Sequence, residues 1–151
     1  MLELYDYELS GNCYKIRLIL SFLNLDYISK KIEFYPSEEH KSEVFLKINP
    51  LGQLPVISDG GLILRDAQAI LVYLASKYDK TNKWYNVNDP EMLGSVSQWL
   101  AFGDSITGSA SAARLHDTLF YNNFDIDKCR ETAHSQFRIL DEHLFFQEEL
   151  G

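Results

Sequence analysis

Residues 45–78 combine turn residues, two short apolar segments and one amphipathic segment in an order that predicts local structure. Pro55 opens a short apolar strand, at the position where the missing N–H of a proline is best tolerated. Asp59-Gly60-Gly61 has the composition of a hairpin turn because these residues accept positive φ, and Leu62-Ile-Leu then returns as a second strand. Asp66 can cap the following helix. The apolar face of that helix consists of Ala67, Ile70, Leu71, Leu74 and Tyr78. This region therefore predicts a β-hairpin that leads directly into an amphipathic helix.

Two further strands and two further helices are predicted before the hairpin. Residues 2–7 read as a first strand, and a Ser10-Gly-Asn-Cys loop runs into a helix of about a dozen residues. Residues 27–34 predict a second strand, with Ile28 and Ile32 as its more buried positions. Residues 38–48 predict a polar helix, whose thin apolar side consists of Val44, Phe45 and Ile48. The order βαβαββα is that of a thioredoxin-like α/β domain, in which a helix joins the first two strands in parallel.

The second half of the chain predicts only helices. Residues 80–89 are polar and lack a period, so they are a linker between a domain at 1–79 and a helical region at 90–151. Asp89-Pro90 can start a long helix. The Gly, Ser and Ala residues at 105–113 predict a kink or break, and residues 119–124 predict a connection. A last helix has its inward face at Ala133, Phe137, Leu140 and Leu144.

Composition narrows the class of protein. The chain has 151 residues and a formal net charge of −8, with a pI near 4.9. An acidic surface argues against nucleic acid or an anionic membrane as partner, since both need a basic footprint. Cys13 and Cys129 do not make a disulfide framework, no Cys/His spacing predicts a metal site, and the N-terminus does not resemble a signal peptide. These observations predict a cytoplasmic globular protein.

The motifs of the first half resemble those of a known family. N-P-x-G-Q-x-P at residues 49–55 is followed by the hairpin, an acidic residue and then A-I-x-x-Y-L. This series resembles the glutathione-binding half of cytosolic glutathione S-transferases, and the resemblance covers the chain from residue 2 onwards. It implies a thioredoxin-like domain followed by an all-α domain. Because family members carry further helices in that second domain, we expect a truncated or degenerate helical domain here.

Ser10 is the predicted catalytic residue, and the resemblance carries the prediction. It lies where serine-type family members keep the hydroxyl that holds the glutathione thiolate. From its position alone, a helix-capping serine is the favoured interpretation of Ser10, and the resemblance reverses that preference. Cys13 is a rival nucleophile, although an S-x-x-C pattern lacks the first, attacking sulfur of a dithiol enzyme. Tyr7 is a further alternative, because other branches of the family use a tyrosine hydroxyl at this strand end.

The resemblance also predicts the residues that bind glutathione. His40 and Lys41 would face the glycine carboxylate, because a carboxylate needs a positively charged or N–H partner. Without the resemblance, such a dipeptide is more often only the solvated edge of a helix. Asp66 would bind the γ-glutamyl ammonium, although the carboxylate also suits a plain helix cap. Ala67 departs from the family pattern, because it lacks the serine hydroxyl that would meet the γ-glutamyl carboxylate. The complete predicted set is His40, Lys41, Gln53, Leu54, Pro55, Asp66 and Ala67. Leu54-Pro55 matches the family's cis-proline corner, which pairs with the cysteinyl backbone, although a trans proline that starts a strand fits the sequence as well.

Two functions of different class follow. The first is conjugation of glutathione, as co-substrate, to a small electrophile by a homodimer, with no metal or other cofactor. The second is a non-catalytic binding or interaction protein, since a fold does not establish a function. A glutathione-dependent thiol reductase that uses Cys13 is a weaker third reading.

Overall fold

A four-stranded mixed sheet forms the centre of the first half of the chain. Its strands are β1 (Leu2–Asp6), β2 (Ile28–Lys31), β3 (Val56–Asp59) and β4 (Leu62–Arg65), in the spatial order β2-β1-β3-β4. β1 pairs with β2 in parallel, while β3 is antiparallel to both β1 and β4. This is a computed structural model, and it describes residues 1–119 and 125–150.

Three helices and one 3₁₀ turn accompany the sheet. They are α1 (Gly11–Phe22), α2 (Glu43–Ile48), α3 (Ala67–Tyr78) and the turn Glu39–Lys41. Each helix begins at a residue whose side-chain oxygen accepts a hydrogen bond from an N–H in the first turn, which satisfies one of the donors that a helix start leaves unpaired. These capping residues are Ser10, Ser42 and Asp66.

The core lies where α1 and α3 pack against the sheet. It joins buried side chains of β1, α1, β3 and α3, among them Leu4, Ile16, Leu20, Ile57, Ile70 and Leu74. A second, smaller cluster joins Phe45 of α2 to Ile32 and Val56. The predicted βαβαββα order is confirmed, and so is the capped helix after the hairpin.

Some local expectations differ from the structure. The predicted helix over residues 38–48 is divided, because Ser42 adopts an extended backbone and caps α2 after the 3₁₀ turn. Val44 was predicted to lie on the apolar side of its helix and Ile28 to be a more buried position of its strand, but both side chains are exposed. Ile32, just beyond that strand, is buried as expected.

The second half contains three helices, α4 (Pro90–Ile106), α5 (Ala112–Leu119) and α6 (Ile126–Leu150). A π-helical turn at Thr107–Ser111 stands where the small residues predicted a kink or break. The connection predicted for residues 119–124 lies, from residue 120 on, outside the described residues. The chain forms two compact units, Met1–Ala101 and Phe102–Gly151, and the domain boundaries expected at 79 and 90 remain predictions.

Helix α6 packs partly through the predicted face, since Ala133 is buried and Leu140 is partly buried. Gln136 accepts a hydrogen bond from the buried Ser109 (2.5 Å between Oγ and Oε1) and donates one to Ser105 Oγ (2.6 Å). The partly or fully buried positions with described side chains lie mostly three or four residues apart: Ile126, Cys129, Thr132, Ala133, Gln136, Leu140 and His143. Phe137 and Leu144 were therefore wrongly predicted to face inward, since both are exposed.

Candidate active site

The sheet topology brings four loop segments to one edge of the first unit. The carboxyl ends of the parallel strands β1 and β2 lie at this edge. β3 begins and β4 ends there, because Tyr5 pairs with Val56 and Val56 with Arg65. Ser10 follows β1, residues 53–55 precede β3, and Asp66 follows β4. In open sheets with parallel strands, ligands bind outside the carboxyl ends of the strands, so we expect a binding site at this edge.

Ser10 occupies the N-cap of α1. Its backbone is extended (φ −77°, ψ 122°), and its Oγ accepts a hydrogen bond of 3.2 Å from the Cys13 N–H. The Ser10 N–H donates to the Tyr7 carbonyl at 3.0 Å, which fixes the loop between β1 and α1. The side chain is partly exposed. Its hydroxyl has one proton that this bond does not use, because here Oγ serves as the acceptor.

Cys13 is fully buried in the first turn of α1 (0% exposed). Burial raises the pKa of its thiol from 9.0 to about 11, and hydrogen bonding by Ser10 and by the Tyr7 backbone only partly opposes that rise. The thiolate is the nucleophilic form of a cysteine. At neutral pH this sulfur is therefore an inert thiol.

An aromatic row connects the end of β1 with the 3₁₀ turn. The rings of Tyr7 and Phe34 have centroids 5.6 Å apart, and Phe34 stacks on His40 at 4.0 Å. His40 is 3% exposed, and its Nδ1 is buried without a hydrogen-bond partner among the described residues. Burial, and secondly the charge of Lys41, lowers the pKa of His40. The neighbouring Lys41 ammonium lies 2.6 Å from Glu38 Oε1, on the exposed side of the turn.

The segment from Asn49 to Pro55 forms a tight loop that ends in a cis peptide bond between Leu54 and Pro55, as the resemblance led us to expect. Gly52 has φ +59°, and a Cβ at this residue would lie 3.1 Å from the His40 carbonyl oxygen. A side chain here would therefore be both strained and crowded. This close approach places Gln53 beside the turn that carries His40 and Lys41.

Asp66 and Ala67 stand at the start of α3. Asp66 has φ 73°, and its Oδ1 accepts a hydrogen bond of 2.9 Å from the Ala69 N–H. The residue is exposed, so the carboxylate can act as a cap and still meet a ligand. The Ala67 methyl group, by contrast, is buried and belongs to the core. The next side chain, Gln68, has its Oε1 buried without a hydrogen-bond partner among the described residues, and it donates at 3.5 Å to the Leu100 carbonyl.

Sequence reasoning missed a cavity of about 400 Å³ between the ends of β1 and β2. Its floor includes Asp6, which is paired with the Arg17 guanidinium. The rest of the lining is Tyr7, Glu8, Lys31, Ile32, Glu33 and Tyr35. The charged residues that end both strands were visible in the sequence, but only the register places them side by side.

No group of three or more His, Cys, Asp or Glu within residues 1–119 and 125–150 is arranged to hold a metal ion. No helix in that part of the chain is long and apolar enough to cross a membrane.

Comparison with known proteins decides the family. Residues 4–82 match the family model for the glutathione S-transferase N-terminal domain, which is more than half of the chain. The chain belongs to the glutathione S-transferase family. Glutathione S-transferase theta-1 of Mus musculus is 32% identical over 121 residues, which are 80% of this chain and 50% of the mouse protein. The chain spans half or less of the length of the curated relatives that it matches.

Solved structures of glutathione S-transferases share the fold. A glutathione transferase homolog from Lodderomyces elongisporus, solved with two GSH per subunit, has a TM-score of 0.79 and 26% identity. The similarity covers 93% of this chain and 68% of the homolog. Ure2p, solved in complex with glutathione, has a TM-score of 0.83 over 99% of this chain and 70% of Ure2p. At 20% identity, the likeness to Ure2p concerns the fold alone.

Proposed function

We propose that this glutathione S-transferase family member binds glutathione and that Ser10 stabilises its thiolate for attack on a small electrophile. The observation that carries the proposal is the position of Ser10 Oγ. It stands at the start of α1 and accepts from the Cys13 N–H at 3.2 Å, and its hydroxyl proton, which also faces the Cys13 thiol, would be donated to the bound thiolate. A helix N-terminus favours a negative charge at the same place.

The available interactions are large enough for the task. A free thiol has a pKa of about 8.5, and lowering it by ~2 units requires about 2.7 kcal/mol. A hydrogen bond from a hydroxyl to an anion supplies about 1.5–3 kcal/mol. The helix end adds about 0.3–1 kcal/mol. Together these effects match the requirement, so the proposed reaction uses glutathione as co-substrate and needs no metal or redox cofactor.

Glutathione would lie along the edge that carries the four loop segments. Leu54 would pair its backbone with the cysteinyl residue, as an added strand does at a sheet edge. Asp66 would accept from the γ-glutamyl ammonium, and Lys41 would face the glycine carboxylate. His40 would contribute as a neutral imidazole, because burial lowers its pKa. The 26%-identical homolog was solved with GSH, which supports glutathione as the ligand.

Cys13 is a poor candidate for the reactive group. A sulfur that is fully buried, with its pKa raised to about 11, reaches neither a disulfide nor an electrophile as a thiolate. This observation disfavours the thiol reductase. We propose a homodimer in the cytoplasm, without a nucleic-acid or membrane partner, by extension from the family.

One observation favours the non-catalytic alternative. Ala67 offers no hydroxyl at the start of α3, so the γ-glutamyl carboxylate would have only helix N–H groups as partners. Losing one charge-assisted hydrogen bond costs roughly 1.5–3 kcal/mol, or about one to two decades of affinity. A family member with such weakened glutathione binding would use the fold to bind a partner rather than for catalysis.

Conjugation of glutathione to 1-chloro-2,4-dinitrobenzene tests the proposal. In this reaction the thiolate sulfur forms a bond to the ring carbon, and chloride leaves. Ser10→Ala should raise the pKa of bound glutathione, which is measured from the thiolate absorbance across pH. The same substitution should slow conjugation about ten- to a hundredfold. Cys13→Ala should leave the rate nearly unchanged.

The other outcomes separate the alternatives. Activity that survives Ser10→Ala but disappears with Cys13→Ala would assign the reaction to the thiol. A loss confined to Tyr7→Phe would move the hydroxyl to the end of β1. Retention on immobilised glutathione without any conjugation would favour the binding protein.

A further inference from the structure

The side chain of Asn49 is almost completely buried (1% exposed), and both of its polar ends are used. Its Nδ2 donates to the Gln53 carbonyl at 2.8 Å, and its Oδ1 accepts from the Leu51 N–H at 3.1 Å. A buried polar side chain with full hydrogen bonding holds its surroundings firmly, because breaking either bond leaves an unpaired group away from water. Asn49 therefore fixes a loop of five residues from inside.

The backbone of Asn49 is fixed as well. Its N–H donates to the Phe45 carbonyl at 2.9 Å as α2 ends, and its carbonyl accepts from the Gly52 N–H at 2.9 Å. The side chain thus has a rigid base from which to reach Gln53. Sequence reasoning treated this asparagine only as part of a motif, because its partners are backbone atoms that no residue pattern reveals.

The bond to the Gln53 carbonyl has a consequence for the next residue. The Gln53 carbonyl and the Leu54 N–H belong to the same peptide unit, which is planar and places the two groups on opposite sides. Once Asn49 holds the carbonyl, the Leu54 N–H must point away from Asn49. The direction of that N–H decides whether an extended ligand can pair with the backbone at this corner.

We propose that Asn49 is a positioning residue for glutathione, one that orients the Gln53–Leu54 peptide toward the cysteinyl backbone of the ligand. The inference rests on the proposed function, and it adds a residue that does not itself touch the ligand. It separates Asn49 from Gln53 and Leu54 of the same motif, whose predicted roles depend on direct contact.

Two substitutions isolate the bond to Gln53. In Asn49→Ser the shorter side chain cannot reach the Gln53 carbonyl, but its hydroxyl can still accept from the N–H two residues on. Asn49→Asp keeps the shape and the acceptor for Leu51, replaces the donor by an oxygen and adds a buried negative charge. Tyr73→Phe is the control, because it removes a hydrogen bond of 2.8 Å to the buried Asp59 at the other end of β3.

Glutathione affinity is measured by calorimetry, stability by urea unfolding, and the Leu54 amide by ¹⁵N NMR. We expect both Asn49 variants to weaken glutathione binding by about tenfold or more, with a shifted Leu54 amide signal in the ligand-free protein. Tyr73→Phe should lower stability and leave affinity unchanged.

Unchanged affinity in either folded Asn49 variant, or an equal loss in Tyr73→Phe, would overturn the inference. If the unsubstituted protein does not bind glutathione, the proposed function fails instead, and the two failures are thereby distinguished. If Asn49→Ser unfolds, the isosteric Asn49→Asp decides the matter by the same measurements.

Discussion

The Lys77 ammonium lies 2.6 Å from Asp59 Oδ2, which ties α3 to the end of β3. The same oxygen accepts hydrogen bonds from the hydroxyls of Tyr73 (2.8 Å) and Tyr78 (2.6 Å). The bond from Lys77, followed by that from Tyr78, lowers the pKa of Asp59 from 3.8 to about 2. This cluster lies at the opposite edge of the sheet from Ser10, so its effect should be on stability rather than on ligand binding.

The low pKa of Asp59 predicts a specific acid sensitivity. An aspartate whose pKa is depressed in the folded state stabilises the fold above its unfolded pKa and loses that contribution as pH falls through its folded pKa. We expect the free energy of unfolding to drop between about pH 4 and pH 2 for this reason. Asp59→Asn should remove this part of the drop and cost about 1–3 kcal/mol at pH 7. Urea unfolding of both proteins across this range checks the prediction, and identical pH profiles would contradict it.

The elements that could be predicted from the sequence are those with local signals. Asp59-Gly60-Gly61 makes the hairpin turn with two glycines at positive φ, and Asp66 caps α3, because both depend on the chemistry of adjacent residues. The 3₁₀ turn before α2 was missed, since Ser42 is a helix cap in the middle of a segment that otherwise favours one helix. Capping competes with continuation, and sequence alone does not show which prevails.

The candidate site also contains some features that have a local sequence signal and others that do not. Ser10 and Pro55 were proposed from motifs of residues that are close together in the sequence. The cavity beside Asp6 and the burial of the His40 ring depend on strand register and packing between distant residues. On α6 two periodic faces compete, and the choice of the face with Gln136 rests on its hydrogen bonds to Ser105 and Ser109. Such contacts have no signature in one sequence.

The buried ring of His40 predicts a second pH effect, in a higher range. Burial lowers the pKa of His40 below 6.5, so the unfolded state binds more protons than the folded state as pH falls below that value. The contribution of His40 to stability should therefore be complete above pH 6.5 and decline at lower pH. His40→Gln should flatten the slope of unfolding free energy between pH 5 and 7, a slope of no more than about 1.4 kcal/mol per pH unit.

His134→Gln is the matched control, because His134 is exposed on α6. Its unfolding profile should follow that of the unsubstituted protein. If His40→Gln keeps the full slope, the buried imidazole is not its source.

Ala67 predicts a gain of affinity on substitution. Ala67→Ser adds a hydroxyl to the buried Cβ at the start of α3, and the prediction is that this hydroxyl turns toward the γ-glutamyl carboxylate of the proposed complex. We expect glutathione to bind about tenfold more tightly, as one added charge-assisted hydrogen bond allows. Calorimetric titration of both forms measures the change. Ala69→Ser places the same hydroxyl on an exposed position of the same helix and should have no effect. Equal or weaker binding by Ala67→Ser would count against the assigned geometry.

The last part of α6 predicts self-association. Phe137, Leu144 and Phe145 are all about half exposed and lie within about 100° of one another around the helix. Large exposed apolar patches usually mark an interface, and we expect a second copy of the chain to cover this one. Sedimentation should show a dimer or larger species. Burial of one phenylalanine contributes about 1.5–3 kcal/mol, so Phe145→Ser should raise the dissociation constant roughly ten- to a hundredfold. Val44→Ser, at an exposed apolar position of α2, should leave the dissociation constant unchanged. A monomer at all concentrations, or equal effects of the two substitutions, would show that α6 does not form the contact.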